Sequence, residues 1–145
     1  MKRSTILFLI CSWLALFTTS VYAQKQTNIW YFGLRAGLDF NASTPAPLEN
    51  SIMATNEGCA SIADDSGNLL FYTNGVYVWN RDHQQMPNGF RLMGHRSSSQ
   101  SAVIVPKPGS QTLYYIFHHR FAVAGLRHAL LRSRYYPAGE YRGCG

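Results

Sequence analysis

The sequence predicts an all-β chain: short antiparallel strands in meanders, forming part of a β-propeller, with an N-terminal signal helix and an irregular C-terminal tail. Three observations point there. Between residues 24 and 117, short apolar and aromatic runs recur, each bounded by Gly, Asn, Asp, Ser or Pro. Asn74-Gly75 is a strong hairpin signal, because a type I′ turn needs positive φ at both central positions. No segment before residue 118 sustains a 3.6-residue apolar period. A length of 145 residues leaves room for one small domain and excludes a multidomain enzyme in this chain. With 46% apolar and 14% aromatic residues, the composition is not that of a disordered chain.

Residues 1–23 read as an export signal. Lys2 and Arg3 make the n-region positive, Ile6 to Phe17 form the apolar h-region, and Val21-Tyr22-Ala23 is a small-x-small cleavage site. The mature chain then begins at Gln24, after cleavage behind Ala23. The apolar stretch is shorter than the roughly 20 residues that span a bilayer, so no stable membrane span is expected. The strands follow in order. Asn28-Ile-Trp-Tyr-Phe-Gly33 is an aromatic strand ending in glycine, and residues 41–56, rich in Asn, Ser, Thr and Pro, read as a loop. Cys59–Ala63, Leu69–Thr73 and Val76–Trp79 read as three antiparallel strands joined by Asp64-Asp-Ser-Gly-Asn68 and by Asn74-Gly75. Ser101–Val105 and Leu113–Phe117 form a further pair around Pro106–Gln111. Residues 24–117 are enough for roughly two blades, whereas a closed propeller takes about four to eight. The chain is therefore not expected to close one alone.

Charge is unevenly placed. Residues 1–23 carry two cations, residues 24–117 six cations and six anions, and residues 118–145 five arginines against Glu140. The net charge of +6 thus lies outside the best-patterned stretch, which argues against a basic nucleic-acid face and against membrane-surface binding. Cys11 leaves with the signal, so Cys59 and Cys144 remain. An oxidising compartment permits their disulfide, but Cys59 sits in an apolar strand pattern, which favours a buried free thiol.

Several segments carry a resemblance: Asn28–Gly33, Ala36-Gly-Leu-Asp-Phe40, Thr55-Asn-Glu-Gly-Cys-Ala-Ser-Ile62, Gly67–Thr73, Val78-Trp-Asn80, Met86-Pro-Asn-Gly89, Gly94-His95, Ser98–Ser101 and Ile104–Gly109. Over roughly residues 25–117 the chain resembles the N-terminal region of large secreted Bacteroidota proteins of the gliding-motility-associated, PKD-domain and type IX secretion sorting-domain kind. The resemblance implies a propeller-like region followed, in full-length members, by repeat domains and a sorting domain. It carries over no catalytic residue. It also implies export, to the surface for full-length relatives and to the periplasm for a chain without the sorting domain. Gly125-Leu-Arg-His-Ala-Leu-Leu131 still follows the pattern, but Arg132–Gly145 is Arg- and Tyr-rich without hairpin signals. Degenerate codons for that tail, read one base later, permit Asp-x-x-Ile-Thr-x-x-Gly-Asn-x-Gly-Asp-Val, close to what the resemblance places there. A frameshift near residue 131 is one reading and a divergent natural tail the other. The DNA decides: a stop within a few codons of the shifted frame excludes the frameshift.

Candidate chemistry is sparse. Asp64, Asp65 and Asn68 have oxygens suited to a hard cation, but the spacing lacks a full calcium loop and reads first as a turn. His118 and His119 are adjacent, and on a strand they point to opposite faces, which disfavours a chelate. Glu57, Asp82 and His83 are the remaining acid–base candidates, with structural hydrogen bonding as the plainer reading. Ser97-Ser-Ser-Gln-Ser101 lacks the Gly-x-Ser-x-Gly of a nucleophile elbow. Trp30, Tyr31, Phe71, Tyr72, Tyr77, Trp79, Tyr114 and Tyr115 alternate faces along strands, most for the core and some available to stack on a sugar or peptide. The arginines of the tail (Arg120, Arg127, Arg132, Arg134, Arg142) make a poor nucleic-acid arm in an exported protein.

The leading expectation is an exported, non-enzymatic β module for adhesion, scaffolding or display of an extracellular glycan or protein ligand, without a cofactor. A truncated propeller hydrolase acting on glycans or peptides is the enzymatic alternative, and it requires Glu57 and Asp82 to converge. A non-functional fragment is the third, and it predicts exposed apolar strand edges.

Overall fold

A computed structural model describes residues 24–110, 112–118 and 132–137. The signal segment, His119, Cys144 and most of the tail lie outside these residues. Among the described residues, a 3₁₀ turn at Lys25–Thr27 is followed by nine strands: β1 (Ile29–Phe32), β2 (Ala36–Asp39), β3 (Ala46–Leu48), β4 (Ala60–Ala63), β5 (Leu69–Thr73), β6 (Val78–Asn80), β7 (Ala102–Pro106), β8 (Leu113–His118) and β9 (Arg132–Pro137). They form three separate three-stranded antiparallel meanders, β1-β2-β3, β4-β5-β6 and β7-β8-β9. The described part is all-β, with almost no helix and no closed barrel.

Three strands differ from expectation. Ala36–Asp39 forms β2, which returns from β1 through Gly33-Leu34-Arg35, where Gly33 and Arg35 both take positive φ (56° and 60°). The expected loop at 41–56 contains β3, a three-residue edge strand whose Pro47 is tolerated because an edge need not donate to a further neighbour. The tail is not irregular throughout. Arg132–Pro137 pairs with β8 from Leu113↔Pro137 to His118↔Arg132 as the third strand of that meander.

The turns of the second meander follow local chemistry. Asp64 Oδ1 accepts the N–H groups of Ser66 and Asn68, and Gly67 takes φ 89° to close the β4–β5 turn. The β5–β6 connection is not the expected two-residue type I′ turn. Thr73 pairs with Val78, leaving a four-residue loop in which only Gly75 of the pair has positive φ (80°). Asn74 is buried there, its Oδ1 accepting from Val76 and Tyr77 N–H and its Nδ2 donating to the Ala54 carbonyl.

The meanders stack in series. Ile29, Tyr31, Met53, Ala63, Tyr72 and Trp79 form one core between the first and second sheets. Ile62, Phe71, Val78, Met86, Leu92, Ala102, Tyr114 and Ile116 form another between the second and third. The middle sheet is thus apolar on both faces, which explains why Phe71, Tyr72 and Thr73 are consecutively buried where a half-exposed strand would alternate. The first strand of each meander lies along the same inner edge, β1 against β4 and β4 against β7. Ser61 ties the first two, its hydroxyl donating to the Ile29 carbonyl (2.7 Å) and accepting from Tyr31 N–H. Beyond β6, residues 85–94 cover the outer edge of the middle sheet through Val78 N–H to Gly89 O, Met86 N–H to Val78 O, Leu92 N–H to Val76 O and Gly94 N–H to Gly75 O.

Candidate functional site

The acid–base candidates do not come together. Glu57 precedes β4 on the inner edge of the middle sheet; its N–H donates to the Arg96 carbonyl and its carboxylate accepts from the Ser99 hydroxyl at 3.2 Å. Asp82 follows β6, on the other edge and at the other end of the same sheet. Two inter-strand spacings alone separate them by about 10 Å before the offset along the strands is added. That exceeds the spacing at which two carboxylates work on one glycosidic bond.

His83, next to Asp82, is turned the other way. It takes φ 59° in the turn after β6, where Asn80 Oδ1 accepts from Asp82 and Gln84 N–H. Its ring stands edge-on to Tyr31 (centroids 5.7 Å apart), and its Nδ1 lies 3.1 Å from the Tyr72 hydroxyl. Burial holds its imidazole below the ordinary value, against the raising effect of the Asp82 carboxylate. Tyr72 is fully buried, stacked on Trp79 and packed on Tyr31, and its hydroxyl also accepts from Ile52 N–H. Burial pushes the phenols of Tyr31 and Tyr72 up, beyond what their hydrogen bonds offset. His83 and Tyr72 thus make a hydrogen-bonded lock on the core. The sequence named His83 but not its partners, because a residue 11 positions away on a neighbouring strand leaves no spacing signal.

Asp64 is committed to its turn. Besides two backbone donors its carboxylate accepts Asn68 Nδ2. Burial is the largest single influence and raises this carboxyl, but the Asn68 and Ser66 donors, with Arg81 nearby, together outweigh it and hold the group below the usual carboxylate range. Asp65 accepts from Gln26 Nε2 at 2.7 Å. Among the described residues, no group of three or more His, Cys, Asp and Glu is placed to hold a metal ion.

Two clefts remain. A polar one of about 430 Å³ is lined by Asp39, Asn41, Asn68, Arg81 and Asp82 between the first two sheets. Asn41 bridges it, donating to the Gly67 carbonyl and accepting from Asn28 Nδ2. The other, about 290 Å³, opens at the inner edge between β1 and β4, lined by Thr27, Trp30, Phe32, Cys59 and Ser61. Trp30 is half-exposed but held in place: its Nε1 donates to the Thr27 carbonyl at 2.7 Å and its ring packs on Phe40. Cys59 is a free, half-buried thiol that burial pushes up, against a smaller lowering effect of a Gly33 backbone hydrogen bond, so it is not a ready nucleophile. No described helix is long and apolar enough to cross a membrane. Compared with protein-family models, with curated proteins and with solved structures, the chain matches none.

Proposed function

We propose that the chain is an exported, non-enzymatic β module in which each meander is a propeller-like blade, serving adhesion, scaffolding or ligand display outside the cytoplasm. Support for the blades comes from three consecutive meanders stacked face to face with their first strands on one inner edge, the arrangement that a propeller repeats around its axis. Three sheets, not two, then belong to the module. Export rests on the n-region, h-region and Val21-Tyr22-Ala23 of the sequence. The inner-edge cleft beside Trp30 and Ser61 is the place for a small glycan or peptide. The carrying observation is the diagonal separation of Glu57 from Asp82 across the middle sheet, which denies the hydrolase the pair that it requires. Purified chain is expected to give no turnover above background on chromogenic glycosides and peptide anilides. Turnover abolished by Glu57→Gln or Asp82→Asn would establish the hydrolase instead.

A further inference from the structure

The polar cleft between the first two sheets sets hydrogen-bond donors beside acceptors. Asp39 lines it from the first sheet, Arg81 and Asp82 from the turn after β6, and Ile29 and Leu69 add an apolar strip. Its volume of about 430 Å³ lies within the roughly 300–1,000 Å³ of small-molecule sites. The chain's own bonds fix the walls. Asp39 Oδ1 accepts Asn41 N–H at 2.8 Å, and its second carboxylate oxygen remains for a ligand. Asn41 spans the gap to the Gly67 carbonyl, where a side chain at position 67 would collide with it. On the opposite wall, Asn80 Oδ1 accepts from Asp82 and Gln84 N–H and so holds the turn that carries Arg81. Both walls are built from described residues between positions 29 and 84.

These groups select a ligand by charge and by hydrogen-bonding type. A phosphate or carboxylate pairs with Arg81 alone and meets Asp39 and Asp82, with Asp64 near Arg81 as well. An ammonium group meets the converse obstacle at Arg81. A neutral diol uses both kinds of group at once, because each hydroxyl donates one hydrogen bond and accepts others. One hydroxyl donates to a carboxylate while its neighbour accepts from the guanidinium. The C–H face of a sugar ring then rests on the strip of Ile29 and Leu69. We propose that this cleft is a second ligand site, distinct from the one beside Trp30, and that it takes a neutral glycan. The inference goes beyond the reading of the chain as a β module and does not depend on its meanders being propeller blades.

Amide chemical shifts of the isotope-labelled full chain, titrated with lactose, cellobiose, maltose and glucuronate, test this. At least one neutral disaccharide is expected to shift the amides of Asp39, Asn41, Asn68, Arg81 and Asp82, with a dissociation constant on the order of 1 mM. Glucuronate should bind at least about tenfold more weakly. Arg81→Gln and Asp82→Asn are each expected to weaken the disaccharide about ten- to a hundredfold, the worth of a hydrogen bond to a charged group. Arg81→Lys keeps the charge but not the planar fork, and should lose less. Both side chains are exposed, so dichroism and melting should stay as in the wild type. The comparison of glucuronate with the disaccharides decides on the unaltered chain, whatever the stability of the variants. Four results would overturn the site: no shift with any of the three disaccharides, shifts confined to Thr27, Trp30 and Ser61, glucuronate binding as tightly, or the same shifts with calcium chloride alone.

Discussion

At the scale of single residues, several polar groups among the described residues hold turns and cores. Asp64 caps one turn, Asn74 another, and His83 fastens a third to Tyr72. The His83 lock has a pH signature. In the unfolded chain histidine titrates near pH 6.5, whereas burial against Tyr31 and Tyr72 holds His83 lower in the fold, with Asp82 only partly opposing. As pH falls, the unfolded chain takes the proton first. This contribution to stability is therefore complete above about pH 6.5 and is lost as pH falls from there toward the folded value. Melting temperatures between pH 7.5 and 5 should fall less steeply for His83→Gln than for the wild type; equal slopes would remove the lock. Little of this was legible beforehand. Trp30 and Tyr72 are both aromatic strand residues, and only the stacking of the sheets makes one half-exposed and the other fully buried.

At the scale of elements, legibility followed burial. Ile29–Phe32, Leu69–Thr73 and Leu113–His118 carry dense apolar runs because they pack against neighbouring sheets, and those runs are what a sequence reveals. Ala36–Asp39, Ala46–Leu48 and Arg132–Pro137 contain Gly37, Pro47 and three charged residues. Such strands exist because a neighbour offers a ladder, a cause that local pattern does not carry. Asn74-Gly75 correctly marked a reversal but not its length. The buried Asn74 side chain takes the place of the short turn by bonding its own loop and the Ala54 carbonyl. Asn74→Ala is expected to cost about 1–3 kcal/mol by leaving buried backbone groups without partners. Asn74→Asp should recover part of that, since it keeps the acceptor while losing the donor. Chemical denaturation of the two variants measures the difference.

At the scale of the whole molecule, the middle sheet is shared by both cores, which couples the ends of the chain. Met53→Ala perturbs the first core and Phe71→Ala the second. Expected losses are about 2–5 and 3–5 kcal/mol respectively. Each should lower a single common transition, seen alike by tryptophan fluorescence and far-ultraviolet dichroism. Two separated transitions in either variant would mean that the sheets melt independently. The same serial stacking sets an order of assembly. Hairpins within each meander join residues close in sequence, whereas β1 meets β4 and β4 meets β7 across some 30 to 40 positions. Contacts of short sequence separation form first and distant ones later. A chain threading out from its N-terminus would complete its first meander with nothing yet to cover Ile29 and Tyr31. Those two side chains stay wet until residues 60–80 have emerged, so the first meander spends its early life as a surface awaiting its own continuation.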